Sequence, residues 1–154
     1  GNGWALMGLV ETLKLLPEAS AARTELVERL QRLCQALKRY QHVDGLWHTV
    51  ITQSGTYLES TLAVMTAFAL REGFDASLLD ENSFGEMEGK ARAAAKRCIN
   101  EEGALALVSD ATPIGELNMY ATRPFGVFPW GQGPLLLMLA QESAEFQTSL
   151  KVQG

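Results

Sequence analysis

Four short stretches of the 154-residue chain hold the residue types from which a site could be built. Gly1-Asn2-Gly3-Trp4 is a glycine-rich turn that runs straight into an apolar helix. A helix N-terminus offers unpaired N–H groups and the positive end of the helix dipole, which suits a carboxylate. Trp4 adds a flat apolar face of the kind that packs on a sugar ring; a plain capping turn with a core tryptophan is the simpler alternative. Gly45-Leu46-Trp47-His48, with His42 just upstream, contains both histidines. Neither has a Cys, His or carboxylate at ligand spacing, so His48 reads as a turn residue or as part of a pocket wall. Tyr57-Leu58-Glu59-Ser60-Thr61 opens a third apolar helix; Glu59 suits the helix start as a dipole and capping group, and Ser60 and Thr61 are candidates to face a pocket. The fourth stretch, YATRPFGVFPWGQG from Tyr120 to Gly133, mixes glycines, prolines, aromatics and Arg123. It reads as a shaped surface at a pocket mouth, or as a rigid structural loop.

What these stretches lack is as telling. No carboxylate pair stands at a convincing spacing, and Asp44 and Asp110 fall in turns, where Asp is expected. A nucleophile elbow, a phosphate-binding loop, a zinc-binding histidine pair and a dinucleotide-binding turn are all missing. No metal ligand and no cofactor is assigned. Cys34 and Cys98 lie in predicted helices and read as buried small apolar groups, with a disulfide between them left open.

Composition narrows the partners. Lys plus Arg total 13 against 18 Asp plus Glu, a net charge of −5, and no basic stripe appears. Nucleic acid and anionic membrane are therefore disfavoured. The apolar run Pro134 to Ala140 is far too short to span a bilayer. The expectation is one soluble domain, residues 1–154, with 47% apolar residues to build its core.

The elements that must position these stretches are helices. Periodicity predicts helices over 4–16, 20–41, 59–72, 84–100 and 134–146, plus a β-hairpin near 46–58. Pro17 ends the first, Ser20 is placed to cap the second, Gly73 to close the third and Pro134 to open the last. The second helix turns Leu26, Leu30, Leu33, Leu37 and Tyr40 inward, and Arg23, Glu28, Arg32, Gln35 and Arg39 to water. The third is apolar all round. The fourth is amphipathic, with Glu86, Glu88, Lys90, Arg92, Lys96 and Arg97 placed on its wet face. Residues 103–133 read as a long irregular stretch. Enclosed and amphipathic helices thus alternate, as inner and outer helices of a toroid must. Five helices make only an arc, so the expected fold class is all-α, a partial (α/α) toroid with a short β-hairpin.

The landmarks together resemble a known family. The Gly-x-Gly-Trp helix start, the Gly-Leu-Trp strand, the Tyr-Leu-Glu-Ser helix start and the Gly-x-Gly before the last helix resemble, in order, the unsaturated glycuronyl hydrolases. The closest likeness is to the unsaturated rhamnogalacturonyl hydrolases of glycoside hydrolase family 105, related to family 88. That resemblance implies removal of a 4,5-unsaturated uronic acid from pectin-derived or glycosaminoglycan fragments. The double bond is hydrated, with an aspartate as general acid and then base, unlike the two-carboxylate scheme of most glycosidases. It further implies that Gly1 is a cut edge midway through a ring of six helical hairpins, so that the chain is the C-terminal half. The catalytic aspartate and a carboxylate-binding arginine would then lie upstream, and the chain would be inactive alone. No catalytic residue is assigned here. Trp4 matches the family's pocket tryptophan, and Asn2, His48 and Trp130 complete the expected substrate-binding set. The expected partners are an unsaturated uronide oligosaccharide and, to close the ring, a homo-oligomer or a separate N-terminal half. A non-catalytic carbohydrate-binding or scaffold protein is the remaining alternative.

Overall fold

The computed structural model describes the backbone of residues 1–152 and the side chains of residues 1–144. Among the described residues, six helices and four two-residue strands follow in the order α1 (Asn2–Leu15), α2 (Arg23–Tyr40), β1 (Trp47–His48), β2 (Leu58–Glu59), α3 (Thr61–Asp75), α4 (Glu81–Arg97), β3 (Val108–Ser109), α5 (Leu117–Thr122), β4 (Phe125–Gly126) and α6 (Pro129–Val152). The helices form two layers. α3 packs between α1 and α6, while α2 lies behind α1, and α4 behind α3. The result is an arc of inner and outer helices, an all-α partial toroid carrying short β-hairpins.

α3 is the hub. Every residue from Leu62 to Leu70 is buried, as expected for a helix with no wet face. Its start is held by Glu59, whose carboxylate accepts from the Thr61 and Leu62 N–H groups at 2.8 and 2.9 Å. Those donors would otherwise lack an intrahelical partner. The helix outlasts the expected stop at Gly73, which is a packing glycine: a Cβ there would meet Leu79 Cδ1 at 2.8 Å. Ser77 makes the turn instead, at φ 55°.

Other boundaries shift for local reasons. α1 starts at Asn2, with Gly1 as N-cap, so Asn2-Gly3 is its first turn and not a loop. Gly3 is where α1 meets α3, because a Cβ there would lie 2.4 Å from Met65 Sδ. Ser20 does not cap α2; Ala22 stands there without a side-chain bond. Arg23, expected in water, instead caps α1 through the Leu13 and Leu16 carbonyls at 2.9 and 3.0 Å. α4 begins three residues early because the Asp80 carboxylate accepts from Asn82 N–H and Ser83 Oγ. α6 starts at Pro129, leaving Pro134 inside the helix.

Two expectations about helix faces fail. Glu88 is buried and Arg92 half-buried, because their carboxylate and guanidinium meet at 2.6 Å. Arg92 also reaches Glu142 at 3.2 Å and the Ala67 carbonyl at 3.2 Å, tying α4 to α6 and α3. Nor are α1 and α6 enclosed. Leu15 is 85% exposed and Leu136 68%, because α1 and α6 are the two edges of the arc. Cys34 and Cys98 are buried and free, and burial pushes the Cys34 thiol up to about 12. No helix among the described residues is long and apolar enough to cross a membrane.

Candidate functional site

The three inner helices run the same way. Their N-terminal ends meet at one cavity of about 430 Å³, and at the opposite side Lys14, Glu72 and Gln141 meet. α1 contributes Asn2, Gly3 and Trp4, α3 contributes Thr61, Leu62 and Met65, and α6 contributes Trp130. Two hairpins close the sides. β1–β2 brings His48, Thr49, Ile51 and Glu59, and β3 with the turn after it brings Ser109, Asp110, Ala111 and Thr112.

The hairpins form where the sequence bends. Gly45 adopts φ 87°, and a Cβ on it would meet the Lys90 carbonyl oxygen at 2.2 Å, so glycine is required there on two grounds. The chain turns back through Gln53–Thr56 and pairs antiparallel, His48 opposite Leu58 and Trp47 opposite Glu59. Trp47 is fully buried and donates from Nε1 to the Leu37 carbonyl at 2.9 Å, which fastens β1 to the end of α2.

The second hairpin lies in the stretch expected to be irregular. Val108 pairs with Gly126 and Ser109 with Phe125, and α5 bridges between them. Tyr57 joins the two hairpins by donating to Ser109 Oγ at 2.9 Å. Gln132 holds the base of the loop: its amide accepts from Leu105 N–H at 2.8 Å and donates to the Leu105 carbonyl at 3.0 Å. That clamp works because Gly131 lets α6 approach β3, a Cβ there meeting Val108 Cγ2 at 2.5 Å.

All four residues expected at a substrate, Asn2, Trp4, His48 and Trp130, stand on this one cavity. Trp4 is 53% exposed, leaving ring area for a ligand. Trp130 is fixed from behind. Its Nε1 donates to the Ser109 carbonyl at 2.9 Å, and Phe128 stacks on its ring at 5.0 Å and 6°. Thr61 joins the wall as anticipated, with its Oγ1 buried and, among the described residues, without a hydrogen-bond partner. Ser60 does not, because its hydroxyl is turned away to the Ala106 carbonyl at 2.6 Å. Thr49, Ser109 and Thr112 went unassigned in the sequence, since isolated hydroxyl residues in turns carry no periodic signal.

The electrostatics favour a neutral or anionic guest held by dipoles. Among the described residues no lysine or arginine lines the cavity, while three helix N-terminal ends face it. Its two carboxylates are already engaged. Glu59 serves both oxygens to the α3 N-terminus. Asp110 accepts from Ala111 N–H at 2.6 Å and pairs with Arg123 Nη2 at 3.3 Å. Both carboxylates thus serve partners within the fold.

An arc of inner and outer helices whose inner N-terminal ends and aromatic side chains surround a cavity places the chain in the class of α/α toroids. Its backbone matches a possible member of glycoside hydrolase family 105 from Klebsiella pneumoniae subsp. pneumoniae MGH 78578, with TM-score 0.86 and 26% identity over 94% of this chain and 38% of that one. A family 105 glycoside hydrolase from C. acetobutylicum ATCC 824 matches with TM-score 0.79 and 25% identity, over 89% and 42%. In sequence, the chain is 28% identical to the unsaturated rhamnogalacturonyl hydrolase YesR of Bacillus subtilis (strain 168) over 141 residues, 90% of this chain and 39% of that protein. The model of Glycosyl Hydrolase Family 88 matches residues 1–145, and the chain belongs to that family. It spans about two-fifths of the length of these relatives.

Proposed function

We propose that this chain is the C-terminal half of a six-hairpin ring that removes a 4,5-unsaturated uronic acid from rhamnogalacturonan-derived oligosaccharides, and that its cavity is this half's share of the substrate site. One observation carries the reading: Asn2, Trp4, His48 and Trp130, from three stretches far apart in sequence, stand around one cavity of about 430 Å³. Trp4 and the braced Trp130 supply flat faces for a sugar ring. The N-terminal end of α1 supplies N–H groups suited to the uronate carboxylate. The general acid belongs to the other half of the ring, which accords with the engagement of Glu59 and Asp110 in structural bonds.

Binding and turnover test this separately. Calorimetry with an unsaturated galacturonyl–rhamnose disaccharide should show weak binding that Trp4→Ala and Trp130→Ala each reduce. Loss of the ultraviolet band of the unsaturated uronide should not occur with the 154-residue chain alone. It should appear when a polypeptide supplying the rest of the ring is added. Turnover by the isolated chain that survives Glu59→Gln and Asp110→Asn would require an acid elsewhere and end the half-site reading.

A second reading draws on the bare apolar residues Leu15, Leu136 and Leu137 at the two edges. Exposed apolar area of this kind marks interaction surfaces. On this reading the arc closes against a second copy of itself. Sedimentation that finds only the monomer mass would remove it.

A further inference from the structure

We propose that His48 is a specificity-determining residue of this cavity, its Nε2 accepting a hydrogen bond from a hydroxyl group of the bound sugar. The proposal rests on the reading of the cavity as an oligosaccharide site. The His48 ring lies on the cavity wall, and its Nδ1 sits 2.5 Å from the Thr56 carbonyl oxygen. A carbonyl oxygen can only accept, so Nδ1 must carry the hydrogen. In a neutral imidazole the other nitrogen is then a bare acceptor. Among the described residues no hydrogen bond reaches Nε2. With Nδ1 turned to the hairpin backbone, the edge bearing Nε2 is what remains for the cavity.

The ring has little freedom to reverse these roles. Thr56 is buried, and its hydroxyl is fixed by the Gln53 carbonyl at 2.9 Å and Val50 N–H at 3.3 Å. Thr49 N–H and Oγ1 both donate to the Tyr57 carbonyl, so the hairpin tip cannot slide past His48. His42 packs edge-on against the ring, centroids 5.8 Å apart at 80°. A fixed lone pair selects a neutral O–H donor and repels a carboxylate. It therefore orients a uronide: hydroxyls toward His48, carboxylate toward the helix ends.

Two isosteric variants separate this role from a merely structural one. In His48→Asn the side-chain amide overlays Nδ1, keeps the Thr56 bond and removes the acceptor. In His48→Gln the amide reaches the Nε2 position and keeps an acceptor there. With the unsaturated galacturonyl–rhamnose disaccharide as probe, His48→Asn should retain the parent Tm and weaken binding about five- to tenfold. His48→Gln should bind within about twofold of the parent. Nitrogen-15 spectra of the ligand-free chain at pH 7.5 should show a protonated Nδ1 and a bare Nε2. The inference falls if His48→Asn binds as the parent does while Trp4→Ala does not, an outcome that leaves the site reading standing. It also falls if the spectra place the proton on Nε2, or if each variant loses binding in step with its Tm. No binding by the parent chain would overturn the site reading and this inference with it.

Discussion

α1 and α3 are both apolar helices, yet they live in different surroundings. In α3 every residue from Leu62 to Leu70 is buried, because α1, α4 and α6 surround it. In α1 only Gly3, Leu6, Val10 and Leu13 are buried, a single stripe facing α2 and α3. Trp4 and Leu15 on the same helix stand in the open. The contrast teaches that apolar composition sets what a helix can bury, while its neighbours decide what it does bury. It also separates two kinds of exposed apolar group. Trp4 lines the cavity, where a ligand can cover it, whereas Leu15 stands at the far end of α1, on an edge of the arc.

The largest effect that bears on this contrast should come from the hub. Leu70→Ala should cost about 2–5 kcal/mol of unfolding free energy, the usual range for a buried leucine. Leu15→Ala should stay within about 0.5 kcal/mol, as surface changes do. Denaturant titration reads both, and equal losses would erase the distinction between hub and edge. Next comes the charge pair behind the hub. Glu88→Gln should cost about 2–3 kcal/mol, less than a wholly isolated buried charge, since Arg92 keeps Glu142 and the Ala67 carbonyl. A neutral result would mean that the pair is solvated and that α4 is held by its apolar face alone.

The contact between the two helices gives a smaller effect. Gly3→Ala forces Met65 to yield and should cost about 1–2 kcal/mol, since the obstructing sulfur belongs to a flexible side chain. Because Met65 also lines the cavity, disaccharide binding should weaken with it, whereas Gly8→Ala, where a Cβ meets open space, should leave binding unchanged and add about 0.5–1 kcal/mol of stability through helix propensity. Unaltered binding in Gly3→Ala would show that the α1–α3 spacing does not shape the site.

The smallest expected effect lies at the far end of the inner helices. Burial raises the Glu72 pKa, but hydrogen bonds from Lys14 and Gln141 and the Lys14 charge outweigh it and hold Glu72 below its ordinary 4.5. A carboxyl depressed in the fold contributes stability above its unfolded pKa and loses it as pH falls through the folded value. Lys14 is raised above its ordinary 10.5, chiefly by the Glu72 hydrogen bond, with burial opposing. Its contribution is full below that value and fades as pH climbs through the folded one. Stability profiles of Glu72→Gln and the parent should therefore diverge most between the two titrations, and converge as pH falls through the depressed Glu72 value below 4.5 and as it climbs through the raised Lys14 value above 10.5. Parallel curves throughout would show that the pair contributes nothing.

Much of this was readable from the chain alone, and the reason is locality. Helical spacing in Leu26, Leu30, Leu33 and Leu37, the Asp44-Gly45 turn and the unbroken apolar run of α3 act through neighbours a few residues away. So does the capping by Glu59, which needs only the first turn of its own helix. The tertiary structure decided what depends on distant partners. Arg23 left the wet face because the end of α1 offered it carbonyls. Glu88 and Arg92 were buried because α3 and α6 arrived beside them. The 103–133 stretch acquired a hairpin and a short helix because Gln132 and Gly131 close its two ends on each other and Tyr57 holds it from outside. The cavity is of the same kind. Asn2, Trp4, His48 and Trp130 were each legible as separate candidates, but only packing three helix ends and two hairpins together made them one surface, since a concave site is a property of several elements and of no single one.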